Sequence, residues 1–260
     1  MPVVQRLVTD SSEHVRASLA NVVNDLAVAL GKHDTVEHLL PVLLLFLRDE
    51  TSEVRLNIIS NLNKINTVIG VELLSQALLP AIVDLAEDTN WRVRSAIIEH
   101  IPMLAQRLGT EFFSEKLNTL CLTWLSDNVF SVRSAAIDTL PKLVTLFGDE
   151  WAKEQILPQL DRMHVNTNYL QRMTSLYSIQ QLAPIMSANI VESILLPLVL
   201  EMVSDAVPNV RFTVAKTLLS IKAKILSHGL QEQVASTLHK MAEDSDRDVR
   251  FYSLQVMNDE

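Results

Sequence analysis

Arginine recurs along this 260-residue chain at a fixed spacing of 39 residues. The members of this arginine column are Arg16, Arg55, Arg94, Arg133, Arg172, Arg211 and Arg250. Six residues before six of them stands an aspartate, at Asp10, Asp49, Asp88, Asp127, Asp205 and Asp244, whereas Asn166 precedes Arg172. A guanidinium is a permanent cation whose planar fork of donors fits a carboxylate through two hydrogen bonds. The columns therefore predict a ladder of ion pairs, each joining an arginine to the aspartate of its own or a neighbouring unit.

The alternative interpretation is a row of arginines that binds an anionic partner. We favour the ladder because nearly every arginine is accompanied by its own acid. Removing one partner of a buried ion pair leaves an unpaired charge and costs about 3–5 kcal/mol. The ladder therefore predicts that Arg94→Ala lowers the melting temperature sharply.

A second column, three residues before each arginine, carries the strongest signal for binding. Its members are Glu13, Ser52, Trp91, Phe130, Tyr169, Pro208 and Arg247. The pattern places this column at a turn between two helices, and such turns lie at the surface. Three aromatic side chains on consecutive turns would form an apolar patch of the kind that marks a partner site. The alternative is that the rings fill the grooves between adjacent units, and we favour the interface.

Side-chain combinations typical of catalysis are missing from the sequence. The seven histidines share no metal-ligand spacing, and there are no paired cysteines and no serine-hydrolase motif. The run Asp244, Asp246, Asp248 lacks the glycine and the closing glutamate of a calcium loop. Cys121 falls on an apolar helical stripe and is expected in the core. We expect no enzymatic activity, no cofactor and no metal.

Composition narrows the class of protein further. Hydrophobic residues make up 48% of the chain and the formal charge is −9, so the chain can bury a core and is a poor candidate for binding nucleic acid. The longest apolar run has nine residues, short of the ~20 that cross a membrane. One cysteine cannot form an internal disulfide, which fits a reducing compartment. We expect a cytoplasmic protein that also has access to the nucleus.

The period itself predicts the fold. Gly31, Gly70, Gly109 and Gly148 are again 39 residues apart, and each follows an apolar stripe with helical spacing. A glycine in this place is typical of a helix stop, where positive φ is needed. A proline column adds Pro2, Pro41, Pro80, Pro158 and Pro197. Each unit thus reads as two helices, and stacked units of about 40 residues predict an all-α solenoid of HEAT repeats.

The period divides the chain into about seven antiparallel helix pairs. The predicted repeats span residues 1–31, 32–70, 71–109, 110–148, 149–187, 188–226 and 227–260. Each proline falls inside a first helix, where it is expected to bend the helix or occupy its early turn. The first unit begins in the middle of a helix, so we expect a fragment that lacks earlier repeats.

Several longer segments resemble one family. They are VRLNIISNL at 54–62, LLPAIV at 78–83, WRVR at 91–94, EFFSEKLN at 111–118, EWA at 150–152 and NYLQRMT at 168–174. These segments are similar to the scaffold A subunits of type 2A serine/threonine protein phosphatases, over about their last seven HEAT repeats. The final helix departs from the family pattern after Arg250.

The resemblance implies a non-enzymatic scaffold. In that family the C-terminal five repeats hold the phosphatase catalytic subunit through their intra-repeat turns, and the N-terminal repeats, mostly missing here, hold the regulatory subunits. The residues that match the binding segments are Trp91, Arg92, Phe130, Tyr169, Pro208, Asn209, Arg211 and Arg247. The competing hypothesis is a nuclear-transport receptor that binds cargo and a small GTPase.

Overall fold

The computed structural model describes residues 2–258, and the side chains of these residues except at positions 63, 71, 75, 78 and 107. The outer limits of the first and last predicted repeats, and the side chain of Leu78 in one family segment, therefore lie outside the described residues. All regular structure in the described part of the chain is helical, as the period predicts. None of the helices described there is long and apolar enough to cross a membrane.

The first compact unit comprises the described residues up to Cys121 together with Asn128–Ala135. The helices that begin within it are α1 (Pro2–Leu7), α2 (Glu13–Asp34), α3 (Leu40–Phe46), α4 (Ser52–Ser60), α5 (Leu62–Ile69), α6 (Val71–Ala86), α7 (Trp91–Leu108), α8 (Thr110–Lys116), α9 (Asn118–Trp124) and α10 (Phe130–Phe147). A π-helical turn, Thr35–Leu39, joins α2 to α3. Helix α2 packs against α4 and α5, and α7 packs against α4 and α6.

The second compact unit comprises Leu122–Asp127 and the described residues from Ala136 onward. The helices that begin within it are α11 (Asp149–Gln155), α12 (Leu157–His164), α13 (Tyr169–Leu182), α14 (Ala188–Ile190), α15 (Leu196–Glu201), α16 (Pro208–Lys222), α17 (His228–Met241) and α18 (Arg247–Asn258). A π-helical turn, Val191–Leu195, joins α14 to α15. Helix α16 packs against both α13 and α18.

The second helix of every repeat begins at the same point of the period. The helices concerned are α2, α4, α7, α10, α13, α16 and α18, whose first residues are 13, 52, 91, 130, 169, 208 and 247. A valine directly before the arginine helps to keep these helices in register in most repeats, whereas Gln171 precedes Arg172. Val54, Val93, Val132, Val210 and Val249 are all fully buried, and burying one valine side chain contributes about 1.5–3 kcal/mol.

Three of the four periodic glycines end helices, as predicted, whereas Gly31 lies within α2 at a kink, and none of them has the left-handed helical conformation. Their φ angles are positive, between 76° and 87°, whereas ψ is 177° at Gly31 and 173° at Gly148. This combination of positive φ and extended ψ is essentially restricted to glycine. The chain therefore changes direction there through a backbone conformation that an asparagine would not adopt.

The prolines sit at the start of helical segments in three repeats. Pro41, Pro158 and Pro197 occupy the first turn of α3, α12 and α15, where a missing N–H costs nothing. Two of these segments follow the π-helical turns, and α12 follows directly on α11. Pro80 differs, since α6 runs through it. A helical segment thus begins near the proline in three repeats, whereas α6 continues through it.

Candidate protein-binding surface

The aromatic column forms the start of the second helices. Trp91, Phe130, Tyr169, Pro208 and Arg247 are the first residues of α7, α10, α13, α16 and α18. The sequence predicted these residues in the turn, whereas the structure places them directly after it, at the start of the helix. The first N–H groups of a helix have no partner within it and must be capped. Whatever caps each helix therefore also fixes these side chains, which we call the first-turn edge.

In the first unit, the first-turn edge holds two aromatic residues with an arginine beside each. Phe130 is 61% exposed, which excludes it as a groove-filling core residue, while Trp91 is half-buried. The Arg92 guanidinium carbon lies 4.6 Å from the centre of the Trp91 ring, and that of Arg133 lies 5.7 Å from the Phe130 ring. The Asn90 side chain accepts the Arg92 amide at 2.9 Å and caps α7. The edge is thus held in place and available to a partner.

In the second unit, the edge is more polar. Tyr169 is 39% exposed, and the side chain of Asn168 caps its helix through the Leu170 amide at 3.0 Å. Pro208 is half-buried at the first position of α16, while Asn209 and Arg247 are exposed. Tyr169, Asn209 and Arg247 therefore face solvent in this unit, and Tyr169 does so at the start of a capped helix.

Arg211 differs from the other predicted binding residues because its donors are used inside the protein. Nε and Nη2 donate to the Asp244 carboxylate at 2.7 and 2.8 Å, and Nη1 donates to the Asp205 carbonyl at 2.7 Å. The residue belongs to the ladder by geometry. It can influence a partner by positioning the start of α16.

In each described ion pair of the ladder, the arginine binds the aspartate of the following repeat, 33 residues later. The described pairs are Arg16 with Asp49, Arg55 with Asp88, Arg172 with Asp205 and Arg211 with Asp244. The Nε–Oδ2 distances are 2.7, 2.7, 2.6 and 2.7 Å. In the second of these pairs the Nε contact is ionic without hydrogen-bond alignment, and Nη2 donates to the carboxylate at 3.0 Å. Of the two possibilities that the sequence left open, the geometry selects the neighbouring unit.

Each arginine is also anchored in its own repeat, where the turn supplies a carbonyl. Nη1 donates to the carbonyl six residues earlier in Arg16, Arg55, Arg94, Arg172, Arg211 and Arg250. Arg133 donates to the Asn128 carbonyl at 3.2 Å. The turn of the same repeat therefore orients the guanidinium, while the guanidinium binds the aspartate in the turn of the next repeat. The ladder is thus a link between repeats.

The aspartates also stabilise the turn, because Oδ1 accepts a hydrogen bond from the backbone amide two residues later. Asp10, Asp49, Asp88, Asp205 and Asp244 all make this bond, at 2.8 to 2.9 Å. Asn166 makes it too, at 2.9 Å to the Asn168 amide. The fifth repeat thus keeps its turn although it has lost the acid. Asp127 is half-buried in the corresponding turn before α10.

The ion pairs of Arg172 with Asp205 and of Arg211 with Asp244 shift the pKa values of both partners. Burial of the Asp205 carboxylate opposes ionisation, but hydrogen bonds from Arg172 and the Val207 amide outweigh it, so the pKa of Asp205 falls below its ordinary 3.8. The hydrogen bond to Asp205 raises the pKa of Arg172. Asp244 behaves likewise, with its pKa lowered chiefly by the hydrogen bond from Arg211. Both aspartates are therefore charged at neutral pH.

One exposed cluster escaped the sequence analysis. Phe212, Lys216, Phe251 and Tyr252 lie together on α16 and α18. The signal was present in the column directly after the arginines, which becomes bulky and apolar at Met173, Phe212 and Phe251. The sequence pattern did not reveal the cluster, because neighbouring residues on a helix point in different directions. Only the packed structure shows which face of the helix remains exposed to solvent.

Groups that could hold a metal ion do not gather in the described residues. No set of three histidine, cysteine or acidic side chains there could bind a metal ion. An apolar groove of about 540 Å³ lies on the first repeat, between Leu7, Val15, Leu19 and Val22, and His14 is the titratable side chain among its described lining residues. Such a groove lacks the paired acid and base of a catalytic site.

Comparisons with known proteins identify the repeat. A family profile described as "PIK3R4-like, middle domain" matches residues 2–107 and again 46–146, and a HEAT-repeat profile matches residues 195–224. The last residues of the two matches to the first profile, 107 and 146, lie one repeat length apart. Together these matches cover more than half of the chain. The chain therefore belongs to the family that this profile describes, and its helix pairs are repeats of the HEAT type.

Curated relatives of this HEAT-repeat protein include phosphatase subunits. The regulatory A subunit of protein phosphatase PP2A from Schizosaccharomyces pombe is 48% identical over 78 residues, which are 30% of this chain and 13% of the relative. The Saccharomyces cerevisiae protein of the same name is 41% identical over 110 residues, 39% of this chain and 17% of the relative. The aligned segments thus span less than a fifth of these relatives, and they support a likeness to regulatory A subunits at the level of fragments.

Solved structures confirm the architecture. Kap95p bound to RanGDP matches 98% of this chain with a TM-score of 0.76 at 16% identity, over 35% of its own length. Kap121p bound to Nup53p matches 98% with a TM-score of 0.74 at 13% identity, over 29% of its length. At such low identity the likeness concerns the fold alone, and it confirms the predicted α-solenoid.

Proposed function

We propose that this HEAT-repeat protein is a non-enzymatic scaffold that binds the catalytic subunit of protein phosphatase 2A along its first-turn edge. The observation that carries the proposal is the exposure of Phe130, whose side chain is 61% exposed. Phe130 occupies the same helix position as Trp91, and the Trp91 ring contacts the guanidinium of Arg92. Aromatic and arginine side chains are the residues that most often dominate binding energy. The two yeast relatives, both regulatory A subunits of PP2A, support the identity of the partner.

The scaffold acts by geometry. Each first-turn edge residue stands at the start of a second helix, and within each unit the described ion pairs connect the turns of adjacent repeats. A partner therefore meets helix starts that are already ordered. Preorganisation of this kind raises affinity because little conformational entropy is lost on binding. The partner is thereby held at a fixed place relative to regulatory subunits, which we propose bind mainly through N-terminal repeats of a longer protein. A cytoplasmic and nuclear location is part of the proposal.

The experiment measures binding of the whole chain to purified catalytic subunit, for wild type, Trp91→Ala and Phe130→Ala. Loss of a hot-spot residue costs about 2 kcal/mol or more, which corresponds to about a 30-fold rise in Kd. Leu146→Ala is the matched control, since Leu146 is 40% exposed near the other end of α10 and should leave Kd unchanged. Equal binding by wild type and both aromatic variants would contradict the proposal.

Two further measurements separate the competing functions. A phosphatase assay on the isolated chain should give no turnover, and activity abolished by a point substitution in this chain would point to an enzyme. The structural likeness to karyopherins favours a second candidate, a transport receptor. That candidate requires binding to a small GTPase in its GTP-bound form, and such binding without affinity for the phosphatase would replace our proposal.

A further inference from the structure

The cluster of Phe212, Lys216, Phe251 and Tyr252, which we call the aromatic–lysine cluster, is a built surface feature. The Phe212 and Tyr252 ring centres are 5.4 Å apart, and the Phe251 and Tyr252 rings meet edge to face at 79° with their centres 5.2 Å apart. The Lys216 ammonium lies 3.7 Å from the centre of the Tyr252 ring and 5.1 Å from that of Phe212. The side chains of two neighbouring repeats thus hold one another in position.

The cluster is not part of the core of these helices. Core positions on the same two helices, such as Val214 and Val249, are fully buried. Phe251 is 60% exposed, and Phe212, Lys216 and Tyr252 are half-buried. A large apolar group left in water next to two other rings marks a surface that a partner covers.

The charge within the cluster indicates what such a partner presents. Lys216 forms no ion pair with any described carboxylate, and the rings hold its ammonium by cation–π contacts. Rings on two sides exclude water from part of this ammonium, which strengthens its attraction for a carboxylate. A partner that fits therefore carries a carboxylate flanked by bulky apolar side chains.

The position of the cluster connects it to the first-turn edge. Phe212 lies four residues after Pro208, and Phe251 four residues after Arg247, so each pair shares one face of its helix. The two helices concerned pack side by side. The cluster thus continues the proposed binding edge by one helical turn along α16 and α18.

We propose that the aromatic–lysine cluster is a second contact for the catalytic subunit, which seats a carboxylate on Lys216 and apolar side chains around Phe251. This inference rests on the proposed function, and it extends the partner surface from the turns onto the helices of the last two repeats. It also sets the chemistry of the opposing patch: acidic at the centre and apolar around it.

The test measures binding of the whole chain to purified catalytic subunit for Phe251→Ser, Lys216→Glu and Lys216→Met. We expect Kd to rise about tenfold for Phe251→Ser and more for Lys216→Glu, because the new carboxylate repels the partner's acid. Lys216→Met keeps the apolar stem and removes the charge, so it should bind more weakly than wild type and lose part of the salt dependence. Leu226→Ser and Lys240→Glu, at exposed positions away from the cluster, are the matched controls.

The outcomes separate the two proposals. No binding by the wild type would contradict the proposed function itself. If the wild type binds and the Kd values of Phe251→Ser and Lys216→Glu stay within twofold of the wild-type value, the proposed role of the cluster is contradicted. In that case Trp91→Ala still tests the first-turn edge. If Lys216→Met kept the affinity and the salt dependence of the wild type, the proposed contact between Lys216 and a partner carboxylate would be wrong. Unchanged circular dichroism of each variant shows that a loss of binding is not a loss of fold.

Discussion

Replacing Asp205 by asparagine separates the two tasks that the ladder aspartates perform. The Asp205 carboxylate accepts from Nε and Nη2 of Arg172 at 2.6 and 2.8 Å, and its Oδ1 accepts the Val207 amide at 2.8 Å. An asparagine keeps the turn bond, as Asn166 does in the fifth repeat. It loses the ion pair, because a neutral amide offers one acceptor and turns an N–H₂ group toward the guanidinium.

The magnitude follows from burial and from the number of bonds. The side chains of Arg172 and Asp205 are 13% and 8% exposed, so the pair is mostly removed from water. Breaking such a pair on one side costs about 3–5 kcal/mol when it is fully buried, and partial exposure brings the expected loss for Asp205→Asn to about 2–3 kcal/mol. Asp205→Ala also loses the turn bond, which adds about 1 kcal/mol.

The assay is urea unfolding at neutral pH, followed by far-ultraviolet circular dichroism, for both variants and for Arg172→Ala. The double variant with Ala at both positions should lose less than the sum of the single losses, because the two side chains form one interaction. Lys153→Ala is the control, since Lys153 and Glu150 form an exposed pair, 51% and 83%, worth a few tenths of a kcal/mol. A loss below about 0.5 kcal/mol for Asp205→Asn, the usual range of neutral surface changes, would refute the ladder as a structural link.

The remaining predictions concern acid, glycine and the thiol. Asp205 and Asp244 have folded pKa values below the ordinary 3.8, so their stabilisation is complete above that value and is lost as the pH falls through the folded values; urea midpoints measured down the acid range should show a steeper fall for wild type than for Asp205→Asn. Gly148→Ala should cost about 1–3 kcal/mol of unfolding free energy, because φ is 87° and ψ is 173°, whereas Gly229→Ala, in a helix with ordinary φ and open space around it, should stabilise by about 0.5–1 kcal/mol. Burial raises the pKa of Cys121 to about 12, so a thiol reagent should label the native protein far more slowly than the urea-unfolded chain.

Much of the fold could be predicted because it repeats. The period gave the helix pairs and the points where the second helices begin, since helix stops, polar turns and buried valines recur at the same places in most units. The breaks in the first helices were less predictable. Pro80 is accommodated within α6, whereas π-helical turns precede the helices that contain Pro41 and Pro197, so the same residue type has different local outcomes.

The candidate site was less predictable than the fold. Its residue types follow from the column that contains Trp91 and Phe130, and the structure places both at helix starts. Exposure of Phe130, by contrast, depends on how neighbouring helices cover it. The aromatic–lysine cluster shows the same limit, because Lys216 and Tyr252 are 36 residues apart in the chain and meet only through the packing of α16 on α18.

Sequence alone determined the all-helical repeat, the places of its second helices to within a residue or so, and the residue types of the first-turn edge, because helix stops, caps and apolar spacing act within a few residues. It also determined that Arg172 and Asp205 would seek a charged partner. Only the tertiary structure decided which partner. Stacking brings the turn of the next repeat next to the guanidinium, while the turn of the same repeat offers a backbone carbonyl. The link between repeats is therefore a property of the stack, since it depends on distances between residues 33 positions apart that no local rule fixes.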